Sequence, residues 1–439
     1  MDSINSEVVI IGAGVTGLAA GIELQEKAVI LEKEDTPGGI VRSFCFGGYW
    51  FDNVVHLLHF RNKDTLYRLL SLFGTGGRVF RPCPPVGYVE TSVGTTRYPF
   101  QLNLNGLDND TKIRCLDDFY ETDMLPQKNI DSYKDFLLNT FGQTMCETFF
   151  FPYNNKLWKY PLEDMTSSGQ TWNINKPTIE EVLDGAFDTV KENITYNSNG
   201  YYPRPPIDAP QRGMEILSQM MSNNVRNLHL NCNVIGINMQ NRTIYTNRGE
   251  VNYEECFSTI PLPSLIDVCI CVNPYIKEEV SQLKWNKVIS MGLSIVGKRP
   301  KGTGHWRYFT DPAIPFTRII YMTEFDEYAA PDNGYGLLIE IPQPSDKFVN
   351  QRDLLKGVLK ALLRLDIINH THYMTDYNTW EVNPAYVIFT KETEKTIEQC
   401  KGYLAKYGIT LGGRYGNWEY SSMAENIEDG FNFGRRINK

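Results

Sequence analysis

The stretch Val8-Val9-Ile10-Ile11-Gly12-Ala13-Gly14-Val15-Thr16-Gly17, continued by Leu18 to Gln25 and then by Ala28-Val29-Ile30-Leu31-Glu32, decides the fold. Val8 to Ile11 has no polar alternation, which predicts a strand buried on both faces of a parallel sheet. The Ala- and Leu-rich run from Leu18 to Gln25 predicts a helix, and Ala28 to Leu31 a second buried strand. Gly12 allows the tight turn out of the strand, Gly14 lets a pyrophosphate approach the backbone, and Gly17 lets the helix lie close on the strands. The helix N-terminus, with Val15 and Thr16 in its first turn, offers free N–H groups and partial positive charge to phosphates. Glu32 follows the first glycine by about twenty residues, where a carboxylate can accept from ribose hydroxyls. A lone G-x-G-x-x-G is a weak signal. Strand, glycines, helix, strand and acid in this order predict a dinucleotide-binding unit, for NAD or FAD.

Length and composition bound what surrounds this unit. The chain has 439 residues, 42% hydrophobic and 22% charged, with a formal net charge of -9. That length predicts two or three intertwined domains. The acidic balance argues against nucleic acid as a partner, because a phosphate backbone demands a basic surface. Nine cysteines without a C-x-x-C pair signal neither a zinc site nor a disulfide framework, and no metal site is expected. Reduced thiols in the cytoplasm are the expectation. Residues 1–7 are polar and acidic, unlike a signal peptide, and no apolar run reaches the ~20 residues of a membrane span.

Thr36-Pro37-Gly38-Gly39-Ile40-Val41-Arg42-Ser43 comes directly after Glu32-Lys33. Paired glycines open a second backbone approach, and Arg42 can meet a phosphate. This E-K-x-x-x-x-G-G pattern resembles the flavoprotein superfamily of amine oxidases, protoporphyrinogen oxidase and UDP-galactopyranose mutase, whose cofactor is buried FAD. The resemblance implies that Glu32, Lys33, Gly38, Gly39 and Arg42 face FAD. At the far end, Ile409 to Gly416 reads as a strand running into a glycine turn, with Arg414 and Gly416 matching the superfamily's G-R-x-G. The helix beginning at Met423 would face the flavin pyrimidine ring. Leu228 to Ile237, with Val234 central, resembles the short strand that touches the adenine.

In the middle of the chain the resemblance narrows to UDP-galactopyranose mutase. Phe51 to His56 resembles F-D-x-G-G-H, and Arg97 to Asn103 (RYPFQLN) resembles Y-P-F-Q-x-N of the uridine pocket. Phe151 to Trp158 (FPYNNKLW) resembles R-P-Y-N-x-K-x-W. His305 to Phe309 and Phe316 to Arg318 match W-x-Y-F and F-x-R, and GRYGNWEY matches G-R-x-G-x-W-x-Y. The implied fold is α/β, a Rossmann-type FAD-binding domain with an inserted antiparallel-sheet substrate domain and a helical subdomain. The expected division is 1–80, 201–265 and 396–439 for the FAD-binding domain, 81–200 for the substrate and helical subdomain, and 266–395 for the substrate sheet. The implied reaction interconverts pyranose and furanose forms of a nucleotide sugar through a reduced-flavin N5 adduct, with NAD(P)H as a transient reductant. His56 and Arg318 are the implied catalytic residues. Tyr98, Phe100, Gln101, Tyr153, Asn154, Lys156, Trp158, Tyr308, Tyr386 and Tyr420 are the implied substrate contacts.

Two departures keep a second reading open. The family's first diphosphate arginine falls on Phe151, and the glycines before His56 become Val54 and Val55. Losing a charge-assisted contact to a diphosphate costs about 1.5–3 kcal/mol, so another cation (Arg204, Lys156 or Arg307) compensates or the substrate is different. The alternative is an FAD-dependent oxidase or dehydrogenase of the amine oxidase type, taking hydride from an amine or apolar substrate. A non-catalytic FAD protein is the third reading.

Overall fold

The computed structural model describes residues 4–60, 62–124, 130–169, 176–187 and 200–439. Strand β1 (Ile4–Ile11), helix α1 (Val15–Leu24) and strand β2 (Ala28–Leu31) form the predicted unit. β1 and β2 pair in parallel, Val8 opposite Ala28 and Ile11 opposite Leu31. Val8 to Ile11 are all buried because both faces of the sheet are covered. Val8 and Ile10 enter the core shared with α1 and the last helix, while Val9 and Ile11 enter a second core.

The sheet recruits distant segments. Gly249–Ser258 pairs with β1 in parallel, Leu228–His229 extends the sheet beyond β2, and Ile409–Leu411 pairs with Gly249–Ser258. Val234–Asn238 and Thr243–Thr246 complete an antiparallel edge. The expected single strand over Leu228–Ile237 is thus two strands, parted by a turn in which Asn231 has a φ of 52°. The strand Gly249–Ser258 stops at Ser258. Pro261 has no N–H for the ladder, and the helix Leu262–Val268 starts behind it.

A second sheet holds, in order, Tyr373–Ile388, Lys284–Val296, Gly334–Pro344, Arg318–Tyr321, Trp306–Phe309, Gly87–Thr91 and Gly94–Arg97. Its pairings are antiparallel except that Trp306–Phe309 runs parallel to Gly87–Thr91. The strand Lys284–Val296 shows how its two faces are used. Ile289, Met291, Leu293 and Ile295 alternate onto one face and pack with Val358, Ala361 and Leu362 of the helix Gln351–Arg364. Each such burial contributes roughly 1.5–3 kcal/mol. The opposite face carries Ser290, Gly292 and Ser294. At Gly292 a methyl group would come within 2.9 Å of the Phe46 ring, so the hairpin Ser43–Phe46 and Tyr49–Asp52 lies close on that face.

The helical region includes Asn109–Met124, Tyr133–Phe141, Phe151–Trp158 and Ile179–Phe187. The helices Tyr133–Phe141 and Phe151–Trp158 are parted at Gly142, whose φ is 79°, and joined through a wider π turn at Cys146–Phe150. The chain closes on itself at its C-terminus. The helix Met423–Ile437, capped by reciprocal bonds of Ser422 and Glu425, packs against α1. A Cβ at Gly430 would fall 2.1 Å from the Thr16 carbonyl, so the two backbones nearly touch.

Candidate active site

Two glycine loops meet at the C-terminal end of the parallel strands. Gly12 leaves β1 at a φ of 99° and donates to the Leu31 carbonyl at 2.8 Å. Gly38 donates to the Ala13 carbonyl at 2.8 Å and forms a bridge with Gly14, joining the loops. The space in front of them is open. A Cβ built at Gly14 meets nothing within 4 Å, and one at Gly39 meets only the Gly14 Cα, at 3.5 Å. At Gly17, by contrast, a Cβ would lie 2.0 Å from the Gly12 carbonyl. The three glycines therefore divide as turn, open cradle and helix packing.

Val15 and Thr16 are buried in the first turn of α1. Glu32, 7% exposed, accepts from the Ala13 N–H at 2.7 Å and the Glu34 N–H at 3.0 Å, which orients its carboxylate at the end of β2. Each oxygen keeps a lone pair for a further donor. Arg42 faces Glu34 and Asp35 at 3.8 and 3.7 Å, while its buried Nε has no hydrogen-bond partner among the described residues. Lys33 points to solvent and faces Glu34. Val234 opens its strand against the second core.

From the other end of the chain, the expected glycine turn is one helical turn, Gly413–Gly416. It is wedged between α1 and the last helix. A Cβ at Gly413 would lie 2.6 Å from Thr16 Oγ1, one at Gly416 would lie 2.7 Å from the Ser258 carbonyl, and the Arg414 N–H donates to Asn426 Oδ1. Met423 is buried at the start of the last helix. The Arg414 side chain leaves this turn over the rings of Tyr420 (4.3 Å), Tyr386 (5.5 Å) and Tyr415 (5.7 Å). Arg414 thus joins the glycine loops to an aromatic chamber.

One row of the second sheet builds the chamber floor. Register sets Tyr308 opposite Arg318, Arg318 opposite Glu340, Glu340 opposite Ser290 and Ser290 opposite Trp380. Residues paired across strands project from one face. Arg318 Nε and Nη2 donate to the two Glu340 oxygens at 2.8 and 2.6 Å, and Nη1 to the Tyr308 hydroxyl at 3.4 Å. Ser290 Oγ and Trp380 Nε1 both donate to the Asn53 carbonyl, at 2.8 and 2.7 Å, which fastens the segment leading to His56 onto the row.

His56 Nδ1 lies 2.9 Å from the Val54 carbonyl. A carbonyl only accepts, so Nδ1 carries the hydrogen and Nε2 is left as an acceptor. Burial, then the charges of Arg414 and Arg318, push this imidazole down to about 4, so it is neutral at pH 7. On the same side, Tyr98 and Tyr153 each place a ring 5.2 Å from that of Tyr308 of the row, and Tyr386 stacks on Tyr420 at 5.8 Å with Trp158 edge-on. Burial pushes Tyr153, Tyr308 and Tyr386 upward, so their hydroxyls stay protonated donors. His56, Tyr153, Tyr386 and Arg414 are each half-buried and keep partial solvent access.

Several residues implied as substrate contacts take other posts. Asn154 is consumed internally: its Oδ1 accepts from Trp158 Nε1 at 2.9 Å and the Tyr133 hydroxyl at 3.2 Å, and its Nδ2 donates to the Phe150 carbonyl. Lys156 Nζ donates to the Phe309 and Asp311 carbonyls at 2.9 and 3.0 Å. Phe100 is fully buried and stacked on Phe149, and Gln101 is 4% exposed. Of the cations named as substitutes near Phe151, Arg204 donates to the Phe325 carbonyl and Arg307 pairs with Glu90. The cation over the Phe151 ring is Lys134, at 5.8 Å. Glu340 was missed, although one carboxylate inside Leu337-Leu338-Ile339-Glu340-Ile341 was a visible signal.

Comparison with known proteins bears on the fold. The family described as NAD(P)-binding Rossmann-like domain matches residues 10–73. A structure of reduced UDP-galactopyranose mutase superposes with a TM-score of 0.88 at 21% identity, covering 99% of this chain and 95% of that one. A protein assigned as a protoporphyrinogen oxidase from Exiguobacterium sp. 255-15 gives 0.74 at 15% identity, covering 98% of both chains. Putrescine oxidase bound to putrescine gives 0.67 at 14% identity, covering 99% of both. The expected α/β architecture is borne out, and the chain has the fold shared by this mutase and these oxidases. No helix among the described residues is long and apolar enough to cross a membrane.

Proposed function

We propose that the chain is an FAD-dependent mutase-like enzyme that interconverts pyranose and furanose forms of a nucleotide sugar in carbohydrate biosynthesis. The donor set suits the cofactor. The cradle at Gly14 and Gly39 is open where a diphosphate would lie, α1 points its N-terminus there, and Glu32 is set for ribose. Gly12, Gly14, Val15, Thr16, Gly17, Glu32, Gly38, Gly39, Arg42, Arg414, Gly416 and Met423 would hold it, with Val234 toward the adenine. When bound, the flavin supplies a nucleophilic nitrogen if reduced, or a hydride acceptor if oxidised.

The observation that carries the mutase reading is the chamber lining. The Tyr308 hydroxyl accepts from Arg318, whose charge also acts on Tyr153, Tyr386 and neutral His56, which offers a lone pair. Hydroxyl donors suit sugar oxygens, and a guanidinium suits the leaving diphosphate. The chain's own work is to orient the sugar, exclude water, and hold a hydroxyl proton at His56 Nε2. All nine cysteines are free, consistent with a reducing compartment such as the cytoplasm, where NAD(P)H could serve as transient reductant.

The oxidase reading keeps two specific supports. Glu340 already neutralises Arg318, and Phe151 is apolar. The two separate on incubation of dithionite-reduced protein with UDP-galactofuranose. Formation of the pyranose is expected. No turnover of any nucleotide sugar, together with rapid flavin reduction by an amine, would overturn the mutase reading. UDP should also shift the visible spectrum of the bound flavin.

A further inference from the structure

Sequence singles out three arginines near the cofactor or substrate, and the structure treats them differently. Arg42 faces Glu34 and Asp35, and Arg318 is held in a bidentate pair by Glu340. Arg414 has no carboxylate within ion-pair range among the described residues. Its Nη1 and Nη2 donate to the neutral carbonyls of Ser421 and Ala385, at 3.2 and 3.1 Å. Its Nε is buried with no hydrogen-bond partner. Three tyrosine faces surround the guanidinium. They offset part of the cost of burying a cation and do not neutralise it.

The location of this charge gives it a purpose. The turn bearing Arg414 touches Thr16, in the first turn of α1, on one side. On the other, the guanidinium lies over Tyr386 and Tyr420 of the chamber. Arg414 therefore stands between the end of the fold where the glycine loops would hold a dinucleotide and the tyrosines of the chamber. Reduction of a flavin by two electrons and one proton leaves one negative charge on the ring system. We propose that Arg414 is the counter-cation for that charge, so that the protein favours the reduced form of its cofactor. The inference rests on the flavin part of the reading above and is independent of whether the substrate is a sugar or an amine.

The test compares purified, flavin-loaded wild type with R414Q and R414K. Midpoint potentials are measured by dithionite titration with a reference dye. R414Q should lose at least tenfold in its preference for the reduced cofactor, which is about 30 mV per tenfold for a two-electron couple. R414K, which keeps the charge, should lose much less. Sulfite gives a second readout, because its sulfur lone pair adds to the oxidised ring and places the same negative charge on it. Its dissociation constant should rise at least tenfold in R414Q. Equal potentials and sulfite affinities in wild type and R414Q would overturn the proposal while leaving the flavin reading intact. If R414Q does not take up flavin, the wild type still decides. A bound flavin harder to reduce than free FAD, and unreactive with sulfite, overturns the role of Arg414. Protein that never takes up FAD overturns both readings.

Discussion

A side chain at position 14 and one at position 17 meet opposite surroundings. Gly14 has an ordinary extended conformation, φ −69° and ψ 175°, and open space where its Cβ would lie. Gly14→Val should therefore leave the apoprotein's melting temperature nearly unchanged and abolish flavin retention, read as the absorbance ratio of flavin to protein. Gly17→Ala drives a methyl group into the Gly12 carbonyl and should cost about 3 kcal/mol or more in urea unfolding. If Gly14→Val melts as early as Gly17→Ala, the open cradle is not a ligand site. Arg318 makes a second residue-scale case. Arg318→Ala strands Glu340, which is 5% exposed, and breaking a buried pair this way costs about 3–5 kcal/mol. The same variant should raise KM for a diphosphate substrate far more than for a neutral one. An unchanged KM removes Arg318 from the site.

At the scale of elements, the helix Phe151–Trp158 is tied to the strand Trp306–Phe309 by one side chain. Lys156 reaches across to the carbonyls of Phe309 and Asp311, so Tyr153 on the helix and Tyr308 on the strand keep their edge-on contact. Burial, then the charge of Lys159, push the ammonium down from 10.5 to about 7, with Asp311 opposing. Between those values the unfolded chain binds the extra proton. Stability therefore rises with pH from about 7 toward 10 and is lost as pH falls back to the folded value. Wild type should gain on the order of 2 kcal/mol between pH 7 and 9 from this group. Lys156→Met should lack that increment in urea titrations at the two pH values, and an identical gain in both proteins would exclude the assignment. Elements such as these also mark what sequence could convey. β1, α1 and β2 were legible because each signal is local: a run of β-branched residues, a glycine spacing, a terminal acid. The tie made by Lys156 and the row from Tyr308 to Trp380 were not legible, because strand register across some ninety residues is fixed by pairing rather than by any one segment. The motifs RYPFQLN and FPYNNKLW imply Phe100, Asn154 and Lys156 as substrate contacts, and a motif does not separate a wall of a chamber from the packing behind it.

For the whole molecule, the same burial that builds the chamber sets an acid limit. His56, His59 and His305 are all pushed down from 6.5 to about 4, burial being the leading cause for each. They lie respectively against the Val54 carbonyl, next to the bridge Leu58–Tyr201, and under Val86, so no single element holds them. In the unfolded chain each protonates near pH 6.5, and in the folded one only near pH 4. Their contribution is fully present above 6.5 and is lost as pH falls toward 4. From pH 7 to pH 5 the loss is on the order of 2 kcal/mol per histidine, less for the accessible part of each ring. Buried Asp52 works the other way. Burial pushes it up to about 6, against hydrogen bonds from Ser43, Met214 and Tyr202. Folding therefore favours its proton, which returns roughly 1 kcal/mol over the same interval. Glu419 and Asp429 are also raised by burial and act in the same direction. Three histidines outweigh these carboxyls if the rings stay neutral in the core. The urea midpoint should then fall clearly between pH 7 and pH 5, and His305→Gln, which loses one of the three titrations, should show a shallower fall than wild type. A midpoint that rises on acidification would mean that the carboxyls dominate and that the histidines are already charged in the folded protein, His56 among them, which would deny it the free lone pair that the chamber chemistry requires.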